Sequence, residues 1–205
     1  MIDLYYAPTG NGLRAAVALE ECGLEFRRHK VDLMKGEQKK PDFLKLNPAG
    51  IIPVMVDEDG PGGKPFTLSQ SGAILLYAAE KTGKFIPKDP LRRANAWRWF
   101  MQASSDAAGA GAAIFFMTVV YPEKTPALAQ FVEDRFVNVL RVCDQQLAGR
   151  EYLADELSIA DLALYPVVAG RRPLVEKAGG FDNLLRWADK MAARPAVQRG
   201  MQPPA

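Results

Sequence analysis

The sequence predicts an α/β domain followed by an all-α helical domain. Short apolar runs alternate with helical periodicity up to residue 82. A linker rich in Gly, Pro and Lys comes next, and beyond it only helix-type periodicity remains, with no convincing strand. The expected boundaries are 1–82 for the α/β domain, 83–90 for the linker and 91–205 for the helical domain.

Taken in order, Ile2–Tyr6 is an apolar strand stopped by Ala7-Pro8. Leu13 to Cys22 is a helix closed by Gly23, a residue suited to the left-handed cap, and Phe26–Val31 is a second strand. A lysine-rich loop follows, with a helical turn at Pro41-Asp42-Phe43-Leu44. Val54-Met55-Val56 and Phe66-Thr67-Leu68 are two short strands separated by the turn Asp59-Gly60-Pro61-Gly62-Gly63. A helix then runs from about Ser71 to Thr82 and stops at Gly83. The order βαβαββα is that of a thioredoxin-like domain.

Past the linker, Leu91 to about Val120 is a long helical segment with small residues from Ala103 to Ala113, ended by the prolines at 122 and 126. Val132, Phe136, Leu140, Cys143 and Leu147 recur at three- and four-residue spacing, the mark of an amphipathic helix. Ser158-Ile159-Ala160-Asp161 reads as a capping box. Ser158 accepts from the Asp161 N–H, the Asp161 carboxylate returns to the Ser158 N–H, and Leu157 staples onto Leu162. A last helix covers about Asn183 to Ala193.

Composition bounds the function. Hydrophobic residues at 48% and charged residues at 24% describe a soluble globular protein, and a net charge of +2 argues against a nucleic-acid partner. Cys22 and Cys143 show neither a CxxC nor a metal-ligand spacing, which fits a reducing, cytoplasmic setting and no metal. The N-terminus lacks signal-peptide features, and no apolar stretch free of charges and breakers is long enough for a membrane span, so no membrane partner is expected.

The most informative stretch runs from Asn47 to Ile74. Pro53 in an apolar run marks a strand start, because proline cannot donate to the ladder. A cis bond there would leave the Ile52 backbone N–H and C=O free to pair with an extended peptide. Ser71 and its neighbours' N–H groups open a helix and form a carboxylate site. Together these halves describe a pocket for a peptide-like ligand that carries a carboxylate. At the first helix start, Ala7-Pro8-Thr9-Gly10-Asn11-Gly12 contains no thiol, so a thiol bound there must come from the ligand.

Ile52-Pro53-Val54 followed by Gln70-Ser71-Gly72-Ala73-Ile74 resembles the glutathione-binding half of a glutathione transferase. The Ser158–Asp161 box resembles a hallmark of the same family's helical domain. The resemblance implies the glutathione transferase fold, with Ile52 and Pro53 meeting the cysteinyl part of glutathione and Gln70 and Ser71 its γ-glutamyl carboxylate. The Ala7–Gly12 loop is most similar to that of the bacterial nu-class, the disulfide-bond reductases. That likeness implies Thr9 and Asn11 as catalytic donors to the glutathione thiolate, and Gln38 and Asn11 as glutathione contacts. Arg135 stands one turn from Phe131, where the family has an arginine, and is carried as its substitute. Asp106 is a further option for the ammonium of a partner subunit's glutathione.

The implied function is glutathione-dependent disulfide reduction by a homodimer, on a disulfide or electrophilic small molecule. One alternative is conjugation to hydrophobic carbon electrophiles, with Phe115, Phe116, Met117 and Tyr121 lining a second site. Another is a non-catalytic glutathione or ligand carrier. Tyr5, Tyr6, His29, Cys22 and Cys143 are read as packing or surface residues, and Lys39-Lys40 as a solvated pair.

Overall fold

A computed structural model describes residues 1–123 and 125–204; Ala205, the expected end of the helical domain, lies outside these. The chain separates into two compact units, Met1–Lys84 together with the chain from Ala193 onward, and Phe85–Ala192.

In the first unit, β1 (Ile2–Tyr6), α1 (Gly10–Cys22), β2 (Phe26–Lys30), α2 (Pro41–Leu46), β3 (Val54–Asp57), β4 (Phe66–Ser69) and α3 (Ser71–Thr82) follow one another. The sheet order is β2-β1-β3-β4, with β1 parallel to β2 and antiparallel to β3, and β3 antiparallel to β4. Helices α1 and α3 pack together, and Val17 and Leu19 of α1 and Ile74 and Leu75 of α3 are fully buried. A separate apolar cluster joins Val31, Phe43 and Val54 to Tyr5, Leu33, Leu46 and Ile52, which holds the Ile52 side chain in place. This is the thioredoxin-like arrangement, and Gly23 and Gly83 close α1 and α3 in the left-handed conformation that glycine tolerates.

Residues from Ala193 onward were expected in the helical domain, but the structure packs them against α1. Counting the second unit's helices as α4 to α9, the last helix is α10 (Pro195–Gly200). Val197 is fully buried, and Arg199 pairs with Glu20 at 2.7 Å and Arg194 with Glu21 at 2.6 Å. Glu20 also holds Arg28 of β2 at 2.8 Å. The helix comes so close that a Cβ on Gly200 would sit 2.5 Å from the Val17 Cα. Gly200→Ala is therefore expected to cost about 1–3 kcal/mol through overpacking, read as a lower urea midpoint. An unchanged midpoint would show that this contact yields freely.

The second unit holds α4 (Pro90–Met101), α5 (Ala108–Phe115), α6 (Pro126–Gln146), α7 (Ile159–Ala169), α8 (Arg172–Ala178) and α9 (Asp182–Ala192). Helices α4 and α5 belong to one helical run to Val120, interrupted by π-helical segments at Gln102–Ala107 and Phe116–Val120. The run Pro90–Val120 is long and apolar enough by length and composition to cross a membrane, although Asp106, Gly109 and Gly111 interrupt its apolar part, so it is not a stretch free of charges and breakers. Asp106 lies within it, and its Ala103, Ala107, Ala110 and Ile114 are buried in the unit's core.

Helix α7 is buried along almost its whole length, and its start is the capping box. The Asp161 carboxylate accepts from the N–H groups of Ser158 (3.0 Å) and Leu153 (3.1 Å) and from Trp187 Nε1 (3.0 Å). Ser158 Oγ accepts from the backbone N–H of Asp161, completing the box, and also from the Ala160 N–H at 3.3 Å. Burial lifts the Asp161 carboxyl to about 6, the hydrogen bonds opposing the rise.

Candidate functional site

Strand register gathers the site residues at one end of the sheet. Tyr5 lies opposite Val54, and Val54 opposite Ser69. The loop leaving β1 toward Thr9, the residue entering β3 at Pro53, and the exit from β4 into Gln70 and Ser71 therefore all emerge together.

Thr9 is the N-cap of α1, extended at φ −101° and ψ 161°, and its hydroxyl accepts from the Gly12 N–H at 3.2 Å. Having accepted, the hydroxyl still has its proton to donate. Gly12 is dictated by close approach, since a Cβ there would lie 2.1 Å from the Ala7 carbonyl oxygen. Asn11 is half-buried, and its amide makes no hydrogen bond to the described residues. No acidic side chain stands in the first turn to neutralise the positive end of the helix. This end of α1 therefore offers two unspent donors and a favourable field for an anion.

The Ile52-Pro53 bond is cis, and the Ile52 N–H and C=O have no partner among the described residues. Asn47, buried, builds the preceding turn by donating to the Ile51 carbonyl at 2.7 Å and accepting from the Ala49 N–H at 3.2 Å. Gly50, at φ +60°, touches the 37–39 turn so closely that a Cβ would meet the Gln38 carbonyl oxygen at 2.9 Å. Gln38 is thereby held against this loop, with its buried Oε1 unpaired. Lys39 donates to the Ala49 carbonyl at 3.3 Å and Lys40 pairs with Glu37 at 3.1 Å, both exposed.

Gln70 sits in the left-handed region at φ 72° and exposes its side chain. Ser71 begins α3, whose first turn has neither a side-chain cap nor an acidic residue. Its buried hydroxyl accepts from Arg14 Nε at 2.8 Å. Arg14 was not singled out from the sequence. It lies four residues before Ala18 and eight before Cys22 on a buried helix face, and that spacing was the available signal. Burial draws its guanidinium down to about 10, still charged at neutral pH.

Arg135, exposed on α6, and Asp106, exposed in a π segment, belong to the second unit and are not among the residues gathered here. Tyr5 stacks on His29 with ring centroids 4.5 Å apart, and His29 lies 2.6 Å from Asp3. The Tyr6 hydroxyl is occupied by Arg28 at 2.9 Å. Burial pushes the Cys22 thiol up and the Cys143 thiol to about 12, so neither supplies a thiolate near neutral pH. Among the described residues, no group of three or more His, Cys, Asp or Glu side chains can hold a metal ion.

A thioredoxin-like sheet with an unpaired backbone edge at Ile52, two helix starts without acidic residues and a separate helical unit define the class of two-domain thioredoxin-like proteins. Residues 11–81 match the family model described as Glutathione S-transferase, N-terminal domain, and residues 109–195 that of the C-terminal domain. The chain belongs to the glutathione S-transferase family. It is similar to the disulfide-bond oxidoreductase YfcG of Escherichia coli, 36% identical over 98% of this chain and 94% of that one. It is also similar to the E. coli disulfide-bond oxidoreductase YghU, 32% identical over 97% of this chain and 73% of that one. Among solved structures, a glutathione transferase from Pseudomonas putida with one glutathione disulfide bound per subunit superposes with a TM-score of 0.91. That match has 33% identity and covers 100% of this chain and 92% of that one.

Proposed function

We propose that this enzyme binds glutathione at the sheet end described above and uses its thiolate to reduce disulfides. The observation that carries the reading is the start of α1, where the Asn11 amide and the Thr9 hydroxyl are unspent and the protein provides no reactive thiol. A thiolate is stabilised at such a helix end, and exchange is faster where the thiolate fraction is higher. Ile52 pairs with the cysteinyl backbone, Pro53 shapes that edge, Gln38 adds a polar contact, and Gln70 and Ser71 take the γ-glutamyl carboxylate. Arg135 is carried in the proposal as a further glutathione contact.

The glutathione sulfur attacks one sulfur of the substrate, the S–S bond breaks, and the other sulfur leaves as a thiolate that takes up a proton. A second glutathione thiolate then attacks the mixed disulfide, giving glutathione disulfide and the second reduced thiol. The likeness to the two E. coli disulfide-bond oxidoreductases and the glutathione disulfide in the P. putida structure support this course. The reading includes a homodimer in the cytosol, and Trp97 and Met101, exposed one turn apart on α4, are apolar surface for a second copy.

The test is reduction of 2-hydroxyethyl disulfide by glutathione, coupled to glutathione reductase, beside aryl-halide conjugation. Strong disulfide turnover that survives Cys22→Ala and Cys143→Ala is expected. A folded but inactive Cys22→Ala would overturn the absence of a protein thiol from the mechanism. Conjugation is the second reading, favoured by the exposed aromatic surface of Phe115, Phe116 and Tyr121, and dominant aryl-halide activity would select it.

A further inference from the structure

Among the described residues Arg14 is the only buried Lys or Arg, at 4% exposure. The buried acids are all satisfied. Asp3 is held by Arg27, Asp57 by Lys81 and Tyr77, and Asp161 by two backbone N–H groups and an indole. Arg14 differs from them. Its Nε donates to Ser71 Oγ at 2.8 Å, its Nη1 is buried with no hydrogen-bond partner, and no carboxylate of the described chain pairs with it. A buried charge without a counter-ion is costly, and replacing it with an apolar group would relieve that cost.

We infer that Arg14 is the built-in counter-charge of the carboxylate end of the site, acting on the ligand through Ser71. This rests on the reading of Gln70 and Ser71 as that end. Because the Ser71 oxygen accepts from Arg14, its hydroxyl proton is directed elsewhere, and the uncapped first turn of α3 lies beside it. A carboxylate arriving there receives the Ser71 O–H and the free N–H groups of that turn, and it compensates the guanidinium behind the serine. Arg14 is a positioning residue in this arrangement. It polarises Ser71, makes the site selective for an anion, and leaves the thiol end untouched.

Calorimetric titration of glutathione and of an analogue lacking only the γ-glutamyl α-carboxylate (4-aminobutanoyl-Cys-Gly) tests this. Arg14→Met is expected to weaken glutathione by about 10- to 100-fold, the range for a hydrogen bond to a charged group, and to leave the analogue unchanged. Ser71→Ala should produce the same pattern, and the double variant should be no worse than either single one. Arg14→Lys should recover part of the selectivity, and it carries the comparison if Arg14→Met fails to fold. Without ligand, Arg14→Met should melt no lower than the parent, whereas a purely structural arginine would lower that melting temperature. Equal weakening of both ligands, additive losses, or no loss at all would overturn the role of Arg14. A parent protein that binds no glutathione would overturn the reading of the site itself, and this inference with it.

Discussion

Asn11→Ala loses about 100-fold in kcat/KM for glutathione-dependent disulfide reduction while unfolding at the same urea concentration as the parent; that is the expected result. The magnitude follows from removing one donor to a developing or bound anion, about 10²–10³ in rate for a donor of the oxyanion-hole kind. The separation of activity from stability follows from the structure. The Asn11 amide bonds to none of the described residues, so its loss leaves no orphaned partner in the fold. Thr9 gives a less clean comparison, because its hydroxyl also caps α1 through the Gly12 N–H, and Thr9→Ala is expected to lose stability as well as rate. The ultraviolet absorbance of bound glutathione thiolate checks the cause, since Asn11→Ala should shift the bound thiol's titration to higher pH. Full activity in a folded Asn11→Ala would remove this residue from the mechanism.

Asp161→Ala acts through folding, and its expected cost is about 3–5 kcal/mol, the sum of several orphaned buried donors. The Ser158 and Leu153 N–H groups and Trp187 Nε1 all end on this one carboxylate in a dry environment, and each orphaned donor costs about 1–3 kcal/mol. Against a total stability of about 5–15 kcal/mol, that loss decides whether the second unit stays folded at growth temperature. Asp161→Asn, which keeps an acceptor oxygen, should cost less. The pH dependence has a definite sign. The folded-state carboxyl is raised from 3.8 to about 6, so the folded chain holds this proton more tightly. The stabilisation from that proton is fully present below about pH 3.8 and is lost as pH rises through 6. Asp161→Asn should lack this slope, which urea midpoints measured across that range will show. A cost below about 1 kcal/mol for the alanine variant would mean that another acceptor takes over these donors, the Ser158 hydroxyl at 3.2 Å included.

Local signals in the sequence were enough for the sheet, the Ile52-Pro53 corner, the start of α3 and the capping box. Each is written in a few adjacent residues whose backbone preferences leave little choice. Arg14 was not legible in that way. A charged residue in the middle of a helix ordinarily faces water, and only the meeting of α1 with Ser71, far away in sequence, shows that it is buried. The return of residues from Ala193 onward to the first unit was equally hidden. Val197, Gly200 and two arginines paired with Glu20 and Glu21 make the contact, too few residues to stand out from the helical pattern before them. The π-helical segments were also unreadable, because the alanine-rich stretch around them is compatible with regular α-helix.

The helix that returns to lie on Val17 has a consequence for the order of synthesis. A ribosome that has passed Lys84 has made all four strands and all the residues gathered at the sheet end, yet not the segment that covers α1. That covering segment is translated only after the whole of Phe85–Ala192. The nascent first unit therefore waits with one flank of α1 open until the second unit has been made, and a chain cut short anywhere between the two leaves that flank bare for chaperones and proteases to find.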